Sequence, residues 1–551
     1  MDVTFKRNIG KIRSVFARLA ADARGSVAIW FGIAAPVVAV ASLGVVDYGN
    51  ASMKQTLIQN ALDDAALIAA RSTATTSAQI DAIGDAAFAG LLPTGTPISG
   101  FTPDANGHIA NVTFTLTGTT VSATATGTVT PLVSNMLLGG PIPIHAKSEV
   151  VRGMNQLEIA LVLDNTGSMQ GSKISNLITA ANNFVTTMQT ATANSTIANP
   201  VKIAIVPFSV SVKVNAALSM STYNTLTFSM TNLPTWLDGR ARALAWNNDI
   251  FTNASSASAR IDRFAMLKSM GKTWDGCVEA RVAPYDIRDT APTSSDVNTL
   301  FIPYFWPDEP DTNSAYYNDY TNDVSASGTW SVRQGYSPKY TSGNIKASGN
   351  ISGLGYSYGP NAGCVMAPLI RLTTDFTALH NEINGMVATG DTNIPLGLMW
   401  GWHTISPNAP FADGSAYGAP HVTKIIVLMT DGENTFGTVS NGNSNNSLYE
   451  GYGYVWQNRL GTTNINNAPD NMDARMVPPT GTTAESLCGN IKAQNIQIYT
   501  IGVGVTTASK ALLTACATSS DNYYDVTSNG SNLDSTFAAI AGSIQNLRIS
   551  K

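Results

Sequence analysis

The spacing of apolar residues changes several times along the chain. Gly25–Val46 (GSVAIWFGIAAPVVAVASLGVV) carries no charge. As a helix it would extend about 33 Å at ~1.5 Å per residue, enough for a bilayer core of ~30 Å. Pro36 interrupts the run, and membrane helices tolerate proline. Beyond Asp47, apolar residues recur at Leu57, Ile58, Ala61, Leu62, Ala65, Leu67 and Ile68. This near-3.6 period predicts a helix to Arg71, continuing the apolar run as one long stalk. A shorter helix is predicted near Ala78–Gly90. The period then falls to two. Val112, Phe114 and Leu116 alternate with threonines, and after Gly118-Thr119-Thr120 the alternation resumes at Val121, Ala123 and Ala125. This predicts a Thr-rich hairpin with one buried face, part of a helix-on-sheet unit over 47–153.

A different rhythm follows. Gln156–Leu163 (QLEIALVL) is a short apolar run, as expected of a strand buried on both faces. An amphipathic helix is predicted over Ser172–Thr190, and a second buried strand over Val201–Ser209. The order strand–helix–strand implies a parallel sheet with covering helices. Residues 210–370 break the pattern with Tyr, Trp, Asn, Ser, Gly and Pro, and read as a large irregular insertion with its own small core. Order resumes with helices at Asp375–Met386 and Ile394–His403 and a strand at Val422–Met429. Asn434–Thr480 reads as a long polar loop. Helices at Ala484–Gln494 and Thr507–Cys516, strands at Ile496–Ile501 and Tyr523–Val526, and a helix at Leu533–Leu547 complete the pattern. The fold class expected is therefore α/β: a single N-terminal transmembrane helix, a small α+β stalk domain, and a Rossmann-like doubly wound domain at 155–547 carrying the 210–370 insertion.

Composition adds location. Of 551 residues, 13% are charged, about half the usual ~25%. Residues 1–25 hold six basic residues against two acidic ones, net +4, so the rest of the chain carries −9 of the overall −5. No soluble segment has a Lys/Arg cluster suited to a phosphate backbone, so nucleic acid is not an expected partner. The basic flank precedes the apolar run, so the positive-inside rule keeps 1–25 cytoplasmic, with the span at 26–46 and the remainder exported. Ala39-Val40-Ala41 resembles a signal-peptide cleavage site, but apolar sequence continues past it to Val46; either reading exports the bulk of the chain. Cys277, Cys364, Cys488 and Cys516 show no zinc spacing, and the five histidines are scattered. An oxidising compartment allows two disulfides in any of three pairings. Sequence order suggests Cys277–Cys364 and Cys488–Cys516; four buried thiols are the alternative.

Candidate chemistry lies where strands end, since open parallel sheets bind ligands at their C-terminal edges. Asp164, Thr166 and Ser168 follow the first strand, Asp431 follows the third, and Thr392 sits in a turn able to face them. Two carboxylates and three hydroxyls form an all-oxygen set. It suits a hard cation, Mg²⁺ first, with Mn²⁺ or Ca²⁺ also admissible. Hydroxyl ligands add oxygens without charge, so the ion stays electrophilic and can take a further carboxylate from a partner.

These residues resemble the von Willebrand factor A (VWA) family and its metal-ion-dependent adhesion site, D-x-S-x-S with a later Thr and a strand-ending Asp. Asp164-Asn165-Thr166-Gly167-Ser168 is similar to the first element, Thr392 in GDTNIPLG to the second, and Asp431 in LMTDGEN to the third. Thr166 replaces a serine and keeps the hydroxyl. The likeness covers about 155–210 and 370–547. The N-terminal ARGSVAIWFGIAAPVVAVASLGVVDYGNA, with the Ala-rich QNALDDAALIAA, resembles TadE/TadG-like pilus-assembly proteins, whose TadG-like members join such a segment to a VWA domain. Trp30 stands where the cleaved pseudopilins carry Glu after their Gly. The resemblance implies a non-enzymatic protein of the bacterial inner membrane, with its bulk periplasmic or at the cell surface. It implies a partner presenting an acidic side chain, a Tad/Flp pilus component or a surface ligand.

Three rivals remain. Helix capping explains isolated Asp, Ser and Thr residues without any metal. A structural pilus-assembly scaffold would need no working metal site. An exported hydrolase lacks support: Asn165 spoils an aspartic-protease D-T-G, no second such loop exists to share a proton, and Gly271-Lys272-Thr273 lacks the first glycine of a phosphate-binding loop because position 266 is Met.

Overall fold

The computed structural model describes residues 26–549, except 73, 75, 93–97, 119, 132–139, 152–154, 194–198, 245–248, 252–259, 310–317, 324–329, 347–348, 352–353 and 439–444. The basic segment 1–25 lies outside the described residues. The chain forms two compact units that divide near residue 153.

In the first unit, helix α1 spans Ser26–Arg71 without a break, Pro36 included. Its N-terminal half presents Trp30, Val37, Val38 and Val45 outward. Among the described residues it is the one helix long and apolar enough to cross a membrane. Its C-terminal half buries Ile58, Leu62, Ala65, Ala66 and Ala69. Helix α2 (Ser77–Leu91) starts with a capping box between Thr76 and Gln79. Both helices cover the antiparallel sheet β1 (Val112–Thr117), β2 (Thr120–Val129) and β3 (Ile142–Val151), in that order. The predicted alternation holds, with Val112, Phe114, Val121, Ala123 and Ala125 buried. Gly84 permits the close approach of α2: a Cβ there would lie 2.3 Å from the Phe114 ring.

The second unit is built on β4 (Gln156–Asp164), β5 (Val201–Phe208), β6 (Ile370–Thr373), β7 (Val422–Thr430), β8 (Gln497–Val503) and β9 (Tyr523–Val526). The sheet order is β6-β5-β4-β7-β8-β9, all parallel except the edge strand β6. In chain order this reads 3-2-1-4-5-6, the doubly wound arrangement with its switch point beside β4. Glu158, the acidic residue in the interior of β4, is buried. It is paired with Lys424 at its register partner on β7 and with the Ser415 hydroxyl at 2.7 Å.

The strands alternate between two cores. Leu157, Ile159, Leu161 and Leu163 face α3 (Ser172–Ala193), α4 (Phe376–Asn384) and α9 (Leu533–Ile549). Ala160 and Val162 face the other way, toward α5 (Ile394–Ile405). Helix α5 is apolar on every side, and all twelve of its residues are buried. Such a helix must be covered twice. The sheet covers it once, with Val162 against Gly401 and Phe208 against Gly397. The insertion covers it again, with Trp236 and Phe301 against Trp400 at ring-centroid distances of 5.9 and 4.9 Å.

This corrects the expected organisation. Most of the insertion's large apolar side chains join the core of the sheet: Trp274, Tyr304, Trp306 and Tyr340 belong to the same cluster as Val162 and Leu398, while Ala241, Leu244 and Ile302 form a small cluster of the insertion's own. Two elements were also missed. Strand β6 is short and half-buried, so its apolar signal is weak. The supposed polar loop 434–480 contains helix α6 (Ala468–Met476), which is anchored by only Ala468, Met472 and Met476. Helix α7 (Leu487–Ala493) starts three residues later than expected, capped by Ser486. Helix α8 (Thr507–Cys516) completes the set. Cystines join Cys277 to Cys364 and Cys488 to Cys516.

Candidate functional site

Asp164 is the last residue of β4 and is fully buried. One carboxylate oxygen accepts the Thr166 N–H at 2.8 Å and the other the Thr430 hydroxyl at 2.6 Å. Gly167–Met169 form a single 3₁₀ turn leading to α3. That turn brings the Thr166 and Ser168 hydroxyls to 2.9 Å. Ser168 donates onward to Asp431 Oδ1 at 2.6 Å. Asp431 immediately follows β7, so adjacent parallel strands deliver both carboxylates to one edge, although 267 positions separate them in the chain. Asp164, Thr166, Ser168 and Asp431 thus form one hydrogen-bonded chain.

Among the described residues no hydrogen bond joins Thr392 to this chain. Its loop is tied down through the backbone: Thr389 N–H reaches the Asn165 carbonyl at 2.7 Å, and Gly167 N–H the Gly390 carbonyl at 2.8 Å. Gly390 has φ 80°, and a Cβ there would meet Ser209 Oγ at 2.5 Å. Thr392 itself is buried, and its N–H donates to the Thr435 hydroxyl at 2.8 Å.

The electrostatics suit a cation. Burial, and then the charge of Asp431, push the Asp164 carboxyl up to about 6, against hydrogen bonds from Thr166 and Thr430 that act to lower it. Neutral hydroxyls stand between the two carboxylates, Lys173 balances the charge of Asp431 but not that of Asp164, and an all-oxygen donor set fits Mg²⁺, Mn²⁺ or Ca²⁺. Asp164, Thr166, Ser168 and Asp431 would hold the ion, with Thr392 within the adjoining loop. Ser168 is exposed, so this side of the set is open to solvent.

Sequence reasoning missed several neighbours. Lys173, in the first turn of α3, pairs its ammonium with Asp431 Oδ2. A cation there opposes the helix dipole, and that mismatch was a usable signal. Asn165 counted only as a spacer; its side chain is buried, and neither amide atom has a partner among the described residues. Asp391 and Glu450, both pushed up chiefly by burial, hydrogen-bond beside Thr392, and Gly437 N–H donates to Glu450 at 2.6 Å. Only folding brings Glu450 to that place.

Residues 25–67 match the model of the TadE-like protein family. The N-terminal segment is TadE-like. Joined to a doubly wound α/β unit, it has the layout of a TadG-like protein. A search of curated proteins found no match. Among solved structures, the vWF domain of the type V pili tip protein Mfa5 from Porphyromonas gingivalis is 12% identical, with TM-score 0.30, covering 72% of this chain and 97% of that one. The pilus adhesin SpaC from Lactobacillus rhamnosus GG is 11% identical, with TM-score 0.30, covering 79% and 34%. Proximal thread matrix protein 1 from the mussel byssus, with a zinc-occupied MIDAS motif, is 12% identical, with TM-score 0.26, covering 71% and 48%. Likeness at this level carries no weight for function; the sheet order and side-chain geometry carry the reading below.

Proposed function

We propose that this protein is a membrane-anchored adhesion or assembly factor. A divalent cation, Mg²⁺ foremost, held by Asp164, Thr166, Ser168, Thr392 and Asp431, grips an acidic side chain of a protein partner. The observation that carries this reading is the single hydrogen-bonded chain from Asp164 through Thr166 and Ser168 to Asp431, at the C-terminal edge of the two central strands. The TadE-like segment supports a role in Tad/Flp pilus biogenesis and surface attachment, with a pilus component or surface ligand as partner. In this reading residues 1–25 are cytoplasmic, 26–46 cross the bacterial inner membrane, 47–153 form the stalk, and 155–547 stand in the periplasm or at the cell surface. Two cystines support an oxidising compartment. In this reading the role is non-enzymatic: the strand-end set holds the cation and keeps one ligand position for the partner.

Calorimetric titration of Mg²⁺ or Mn²⁺ into wild type and Asp164→Ala tests the site. Wild type should bind, and the variant should lose at least about tenfold in affinity, the smaller end of what even outer-shell losses cost. Equal binding by both would remove the cation from the mechanism. One observation favours the scaffold alternative: the Lys173 ammonium already neutralises Asp431. Pull-down of partners with and without chelator separates the two, since a scaffold retains its partner in chelator.

A further inference from the structure

Folding also assembles a cluster that the spacing of histidines concealed. Asp81 and Asp85 stand four residues apart on α2, so they share one face of the helix. His108 comes to them from the turn before β1, where Asp104 accepts its N–H at 2.9 Å. One ligand atom from each of the three residues lies within 4.8 Å of the other two. His108 Nδ1 is 2.7 Å from Asp85 Oδ2 and 3.7 Å from Asp81 Oδ2.

Each carboxylate has one oxygen held by the backbone. Phe114 N–H donates to Asp81 Oδ1 at 2.8 Å, and Ile109 N–H to Asp85 Oδ2 at 3.2 Å. On Asp85 that same oxygen also takes the His108 contact, which leaves Asp81 Oδ2 and Asp85 Oδ1 as the other two oxygens. Asp81 Oδ2 is beyond hydrogen-bond reach of His108. Asp85 is only 2% exposed, yet its Oδ1 has no hydrogen-bond partner among the described residues. An anionic oxygen buried without a partner is costly. His108, with 49% of its side chain exposed, relieves only the neighbouring Oδ2.

We infer that Asp81, Asp85 and His108 form a second divalent-metal site, in the helix-on-sheet unit and independent of the strand-end site. Two carboxylates with one imidazole match Zn²⁺ and related transition ions better than Ca²⁺, which prefers oxygen alone. Three protein ligands leave a position for water or a partner's side chain. With neutral His108 the set carries two negative charges, which a divalent ion balances. Tetrahedral zinc bonds of ~2.0–2.2 Å place the donors roughly 3.4 Å apart, so the ion would part His108 Nδ1 from Asp85 Oδ2 and bring Asp81 slightly inward. The half-exposed His108 and Asp81 can rotate to do so, while the backbone N–H groups keep both carboxylates oriented from behind.

The test uses the full chain in detergent, carrying Asp164→Ala so that the strand-end site contributes little. Co²⁺, a coloured stand-in for Zn²⁺, should give a saturable visible absorption band that one equivalent of Zn²⁺ displaces. His108→Gln and Asp81→Asn should each lose the band or weaken Co²⁺ binding at least tenfold. Asp85→Asn keeps the shape of a buried side chain and should behave alike; circular dichroism reports whether each variant is folded. A folded His108→Gln or Asp81→Asn chain that binds Co²⁺ as tightly as its parent overturns the site, as does a parent that shows no saturable band.

Discussion

The two faces of the central sheet are covered by different means. On one, α3, α4 and α9 lie as ordinary amphipathic helices, with Leu177, Phe184, Leu379, Phe537 and Ile540 turned inward. On the other, the apolar helix α5 is sandwiched beneath irregular chain that contributes Trp236, Phe301 and Tyr304. The first face is held by periodicity and the second by individual large side chains, a cystine and buried polar networks. Irregular backbone can build a core layer when its polar groups are answered one at a time. The Tyr304 hydroxyl, for example, lies 2.9 and 2.8 Å from the Ala362 and Tyr449 carbonyl oxygens and shares its one proton between them. The strand-end site takes its parts from both sides: Lys173 arrives from α3, and Thr435 and Glu450 from the loop after β7.

The comparison breaks most readily at the cystines. Cys277–Cys364 closes 87 residues and Cys488–Cys516 closes 28. Loop-closure entropy assigns them about 4–5 and about 3–4 kcal/mol. Paired Cys→Ser substitutions should therefore cost more at 277/364, and limited proteolysis should then cut the insertion while leaving α3 and α9 protected. Equal protection of all three would mean that the insertion is held by packing alone.

Truncation of single core residues comes next. Trp400→Ala on the insertion face should cost about 3–5 kcal/mol in denaturant unfolding, and Leu177→Ala on the helical face about 2–5 kcal/mol. Tryptophan emission near the insertion should change in the first variant and not in the second.

The insertion face should also carry its own pH dependence. Burial pushes Glu309 up to about 7, against hydrogen bonds from Tyr454 and the Asn318 N–H. Its folded-state value lies above its unfolded value, so its stabilising effect is complete below pH ~4.3 and disappears as pH rises through about 7. Relative to wild type, Glu309→Gln should be less sensitive over that window, by at most about 3 kcal/mol. Urea midpoints for both proteins at pH 5 and pH 8 measure the difference, and parallel shifts would refute the assignment.

The smallest effect concerns Lys173. Replacing it with Met removes the ammonium that competes for Asp431 and should tighten Mn²⁺ binding several-fold in calorimetry. Unchanged affinity would mean that the lysine leaves Asp431 at no cost, and weaker binding that it helps to build the site.

Much was legible in the chain. The period of two in β1 and β2, the buried runs of β4, β5 and β7, and the stripe of α3 each report a regular backbone against an apolar neighbour, so local spacing carries them. Asp164 and Asp431 were legible because each directly follows such a strand. What local spacing omits is the partner across space. Glu450 beside Asp391, Lys173 on Asp431, His108 against Asp85, and Trp236 over Trp400 are contacts without a period. The sequence by itself determined the doubly wound fold class, the apolar N-terminal helix and the residue types able to take a cation. Only the tertiary structure decided which of those oxygens meet, and that the insertion is a layer of the core. Side chains distant in sequence are brought together by packing and hydrogen-bond satisfaction over the whole fold, and nothing in their immediate neighbours records that.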